Sequence, residues 1–103
     1  EDAKKNGVKM IKLVEIVQNR RDDFSLREVY VNPNHVVYLR EDVTLKGKLQ
    51  EQKVNFPDGL DTRQSFTRLQ IHNGTTGTEF IVIGTPSMIE AKLNAGKKEL
   101  LHG

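Results

Sequence analysis

The chain has 103 residues, 36% of them hydrophobic and 29% charged, with no cysteine and no tryptophan. That length holds one domain with an economical core, and the missing cysteines exclude disulfides, thiolate metal sites and a cysteine nucleophile. Sixteen basic and fourteen acidic residues leave a formal charge of +2, far from the one-sided basicity of a dedicated nucleic-acid binder. No run of about 18 apolar residues suggests a membrane helix, and the lack of cysteine fits a reducing, cytoplasmic setting.

Residues 1–9 are polar and lysine-rich, and they read as a flexible leader ahead of a natural start at Met10, or equally as an ordinary frayed terminus. A single globular domain is expected over 10–96, followed by a frayed tail over 97–103. The first strand spans Met10 to Gln18, with Ile11, Leu13 and Glu15 on one face and Val14 and Ile16 on the other. Asn19 to Asp23 then reads as a solvated loop tip. A second strand at Glu28–Val31 and a third at His35–Arg40 flank Asn32-Pro33-Asn34, whose fixed proline φ and permissive asparagines predict a hairpin.

From Glu41 to Gln64 the apolar pattern fades into mixed charges, Gly47 and Pro57-Asp58-Gly59. Two readings stay open here: a long polar loop, or a protruding hairpin over Val43–Val54 turning at Lys46-Gly47-Lys48. The clearest pattern comes next. Ser65–His72 alternates, with Thr67, Leu69 and Ile71 opposed to Phe66, Arg68, Gln70 and His72, and Phe80–Ile83 is continuously apolar, as in a central strand. A turn containing Asn73-Gly74 joins the two into a hairpin. Thr85 before Pro86 is a helix-start signature, with Ser87 and Glu90 offering an alternative capping box, and Met88, Ile89, Ala91 and Leu93 form the apolar stripe of a helix over Pro86–Ala95, with Gly96 at its C-terminal cap. The expected fold is α+β, mostly β: an antiparallel sheet of about five strands, open or rolled towards a barrel, with one short C-terminal helix.

Three pieces of this layout carry a family resemblance: Met10-Ile11-Lys12-Leu13, then Val29-Tyr30-Val31-Asn32-Pro33-Asn34-His35-Val36-Val37, and finally Phe80 to Leu93. In these pieces the chain resembles the FlbD family of small flagellar and swarming-motility proteins. It departs from that pattern by a long insertion after Glu41 and by extensions in the first loop and the tail. The resemblance implies a small sheet closed by a short helix, and it brings no catalytic residues with it.

The chemistry-bearing residues do not converge in sequence. His35, His72 and His102 lack the close pair spacing of a zinc site, no Gly-x-Ser-x-Gly elbow is present, and Asn73-Gly74-Thr75-Thr76-Gly77-Thr78 has no lysine and joins two strands. No enzyme, metal or cofactor is expected. The candidate binding residues are Arg20, Arg21, Lys46, Lys48, Lys53, Arg63, Arg68 and His72, which a nucleic-acid-binding regulator would use. The leading expectation is instead a non-enzymatic protein-interaction module that self-associates and occludes or bridges a protein partner, because a small open sheet leaves edges to resolve. A third reading is a phage-type accessory protein that sequesters a host factor or small ligand.

Overall fold

The computed structural model describes residues 9–21, 23–51, 56, 60–61, 63–72 and 74–102, the side chains of 96–102 excepted. The leader 1–8, Lys53 and the Pro57-Asp58-Gly59 stretch lie outside the described residues. The strands are β1 (Ile11–Arg20), β2 (Asp23–Val31), β3 (Val36–Glu41), β4 (Phe66–His72) and β5 (Gly77–Ile83), and the helices are α1 (Val43–Glu51) and α2 (Pro86–His102). They form the expected five-stranded antiparallel sheet, open rather than closed into a barrel, in the order β2-β1-β5-β4-β3.

The β4–β5 hairpin pairs from Phe66↔Ile83 to His72↔Gly77, and its apolar strand β5 is the middle of the sheet. Three expectations need correction. The second strand starts at Asp23, so β1 and β2 make one long ribbon in which Ile11 faces Val31 and Gln18 faces Phe24. β2 and β3 are not a hairpin but the two outer strands of the sheet, joined through a 3-10 turn at Pro33–His35. Asn32 starts that turn by accepting the Asn34 N–H at 2.9 Å. Finally, the segment after Glu41 is neither a loop nor a hairpin over Val43–Glu51: it is helix α1.

The short β2–β3 connection reveals the shape of the sheet. From Val31 to Val36 the chain takes five steps, which reach at most about 17 Å, whereas four strand spacings in a flat sheet span about 19 Å. The register also sets Val31 and Val36 at opposite ends of their strands. Only a strongly twisted sheet brings them together. Such a sheet is a saddle, concave on each face along a different diagonal, and each hollow is filled by a helix. On one face Ile89 and Leu93 of α2, one turn apart, pack with Leu13, Val31, Leu69 and Val82. On the other, Leu45 and Leu49 of α1 pack with Ile16, Phe24 and Phe66. Phe56 bridges this second hollow, stacked on Phe24 with ring centroids 4.9 Å apart and reaching Phe66 at 6.3 Å.

Helix α2 begins as the sequence indicates. Thr85 accepts the Met88 N–H on its hydroxyl at 3.2 Å, and Pro86 opens the first turn. The helix then continues past Ala95 through Gly96 to His102, where a frayed tail is expected from sequence. Gly84 supplies the switch from β5, with φ at +126° and its N–H on the Ser65 carbonyl at 2.9 Å. Buried Thr67 donates to the Gly84 carbonyl at 2.9 Å, so the one buried hydroxyl in this corner is satisfied.

Candidate functional site

The face that carries α1 holds Lys12, Val14, Ile16 and Gln18 of β1, the even-numbered residues of β2 and the Phe66–Arg68–Gln70 side of β4. Helix α1 and Phe56 cover its hollow, and among the described residues two corners are open. One is polar and the other apolar.

The polar corner spans β3, β4 and β5. Asp42, with only 4% of its side chain exposed, accepts the Leu45 N–H on Oδ1 at 2.8 Å and Arg68 Nη2 on Oδ2 at 2.6 Å. It is thus both the N-cap of α1 and the clamp that ties the helix to β4. Arg68 Nη1 donates to Glu79 Oε1 at 2.9 Å, and the Tyr38 hydroxyl donates to Glu79 Oε2. Lys46 on α1 adds a bond to the Ser65 hydroxyl at 3.2 Å and lies 3.8 Å from Glu41. Every oxygen of Asp42 and Glu79 is engaged within the network. Asp42 thus holds α1 on the sheet, and Glu79 ties β5 to Arg68 of β4 and Tyr38 of β3.

The network has an electrostatic signature. The Tyr38 hydroxyl and the Arg68 guanidinium hold the Glu79 carboxyl below the usual carboxylate range. The bond to Glu79 in turn pushes the Tyr38 phenol up, and the two carboxylates keep Arg68 charged. A depressed carboxyl contributes stability above its ordinary pKa and loses it as pH falls through the lowered value. The raised phenol contributes fully below its ordinary range and loses that contribution as pH rises through its own raised value. Glu79→Gln is therefore expected to return the Tyr38 titration towards the ordinary phenol range and to shallow the acid limb of the stability curve. An ultraviolet titration of Tyr38 that is unmoved by the substitution would contradict this coupling.

The apolar corner lies on the β1–β2 ribbon, away from α1. Met10, Val14, Leu26 and Tyr30 are 40, 37, 37 and 60% exposed there. Among them Lys12 and Glu28 form an ion pair at 3.3 Å, with 54 and 61% of their side chains in solvent. Exposed apolar side chains gathered on one rigid ribbon mark an interaction surface better than scattered ones do. The sequence signal was apolar residues at both odd and even positions of β1, which demands cover on both faces. Only the fold shows where that cover stops.

The basic residues singled out by sequence do not come together. Arg20 and Arg21 stand at the β1–β2 turn, at the same end of the sheet as His72, whose Nδ1 accepts the Gly74 N–H at 3.1 Å. Arg63 lies at the opposite end, before β4, paired with Asp61 at 3.3 Å, a contact that lowers the Asp61 carboxyl and raises the guanidinium. Arg68 and Lys46 belong to the polar network, and Lys48 is exposed on α1. Asp61, Arg63, Gln64, Ser65, Thr85 and Met88 line an open depression of about 310 Å³ beside the start of α2. Among the described residues no cluster of three His, Asp or Glu side chains could hold a metal ion, and no helix is long and apolar enough to cross a membrane.

Among the described residues, fold and surface together define the class: an open antiparallel sheet of α+β type, covered by a helix on each face, with an exposed apolar corner on the β1–β2 ribbon. No family model matches the chain, and neither a curated protein nor a solved structure matches it.

Proposed function

We propose that the chain is a non-enzymatic protein-interaction module, working in the cytoplasm, that binds its partner through the β1–β2 corner. The observation that carries this reading is the exposure of Val14, Leu26 and Tyr30 together on one face of the ribbon, with Met10 exposed just before β1, while Ile16 and Phe24 of that face lie under α1 and Phe56. Tyr30 is the natural anchor, because an exposed tyrosine offers a large apolar ring with a polar tip at small conformational cost. β2 is also an outer strand of the sheet, so its backbone edge lies beside these side chains for a partner's strand to extend. The lack of cysteine supports the compartment.

The reading is tested with Tyr30→Asp. An exposed substitution of this kind changes stability by about 0.5 kcal/mol or less, so the melting curve should hardly move. Capture of the partner from the native cell should fall at least about tenfold, as expected for an anchor residue. Unchanged capture by a folded Tyr30→Asp protein would overturn the assignment of this corner.

A further inference from the structure

We infer that the β1–β2 corner is self-complementary and pairs with a second copy of this chain about a two-fold axis. The inference rests on the interaction-module reading and names the partner for the same surface.

Four side chains make the corner self-matching. Lys12 lies opposite Tyr30 and Val14 opposite Glu28 in the β1–β2 register, and all four point to the same face. They form a four-cornered cell with the two charges on one diagonal and Val14 and Tyr30 on the other. The 3.3 Å contact of Lys12 with Glu28 runs along the first diagonal. An isologous contact requires each residue to find its match within the same patch. A two-fold axis lying in the interface along the Val14–Tyr30 diagonal meets that requirement. It sets Tyr30 on Tyr30 and Val14 on Val14, and it exchanges the positions of Lys12 and Glu28, so that each lysine meets the glutamate of the other copy.

Other two-fold placements do less well. An axis along the strands sets Glu28 on Val14, and an axis across them sets Lys12 on Val14, so neither pairs the two charges. The diagonal arrangement makes the strands of the two sheets cross steeply, which is the orthogonal mode of sheet packing. Leu26, on the same face beyond the cell, widens the apolar contact, and exposed Met10 stands just before β1. A nucleic-acid partner is disfavoured because the cell carries one anion for each cation. A patch of this size buries less than the roughly 800 Å² per partner of a standard interface, so the association is weak and concentration-dependent.

Sedimentation velocity on the full chain, from micromolar to near-millimolar concentration, tests the pairing. The wild type should pass from one chain to two. Lys12→Glu makes the patch doubly acidic and Glu28→Lys makes it doubly basic, and each alone should weaken self-association at least about tenfold. Mixed together, the two single variants should form a heterodimer at least as tight as the wild-type dimer. Neither variant retains the ion pair within its own chain, so recovery in the mixture reports pairing between chains. The double variant K12E/E28K should also dimerise, and it guards against a single variant that fails to fold. A wild type that stays monomeric throughout overturns the second copy as partner. A wild-type dimer whose single variants are unaffected, or whose mixture gains nothing, overturns the diagonal pairing. Either result leaves the interaction-module reading standing so long as Tyr30→Asp still abolishes partner capture, and that reading fails separately if capture is unchanged.

Discussion

Phe66→Ala is expected to cost about 3–5 kcal/mol, the range for truncating a buried aromatic, and so to remove much of the roughly 5–15 kcal/mol available to a domain. Phe66 is fully buried, and it is the floor of the hollow that α1 fills. Its ring contacts Phe56, which stacks on Phe24 from the far end of the β1–β2 ribbon. One side chain thus couples β4, α1 and both strands of the ribbon across the saddle. The neighbours that could collapse into the space sit on rigid strands, so the cavity would stay largely open and the loss should fall near the upper part of the range. Urea unfolding checks it, and a loss below about 1 kcal/mol would mean that the second hollow is not packed as described.

The second large effect is at Asp42. Alanine there removes the N-cap of α1, worth about 1 kcal/mol, and leaves Arg68 with one carboxylate partner in place of two. With Arg68 still 32% exposed, solvent softens the second term. The expected total is about 2–3 kcal/mol. Asparagine keeps an oxygen for the Leu45 N–H but surrenders the charge, so Asp42→Asn should fall between wild type and alanine. Hydrogen exchange adds a local readout: amides of Val43–Glu51 should lose protection in Asp42→Ala before those of β4 and β5 do. Wild-type stability in Asp42→Ala would show that α1 is held by Leu45 and Leu49 alone.

Much of this architecture was legible because local and tertiary preferences agree. Alternation over Thr67, Leu69 and Ile71, the unbroken apolar run at Phe80–Ile83 and the Thr85-Pro86 cap each specify the element that forms. Where the reading went astray, non-local terms decide. Asn32-Pro33-Asn34 has hairpin chemistry, yet β2 pairs with β1 and β3 with β4, and the twist gathers Val29, Val31, Val36 and Leu39 into the one core under α2. Helix α1 was hidden because Gly47 and two lysines, Lys46 and Lys48, dilute a stripe reduced to Leu45 and Leu49. Asp42 three residues before Leu45 was the available signal, and it reads as a cap only once Leu45 and Leu49 are seen to share a helical face.

The site was harder still. Arg68, chosen for its charge, turns out to be bound by an acid that the sequence places far away: it is 26 residues from Asp42 and touches it at 2.6 Å. The apolar corner, by contrast, is built from residues that look like ordinary strand positions. Val14 and Ile16 share a face in sequence, but α1 reaches Ile16 and leaves Val14 in solvent. That division depends on where a nine-residue helix ends its path across the sheet, which no local pattern encodes.

Site-specific photocross-linking in the native cell tests the corner most directly. A photoreactive phenylalanine analogue at Tyr30 should give a discrete adduct with a protein partner or a second copy. The same group at Val37, which is 59% exposed on the opposite outer strand, should give none. Adducts from position 37 with none from position 30 would contradict the account, because they would place the partner on β3 and leave the β1–β2 corner without a role.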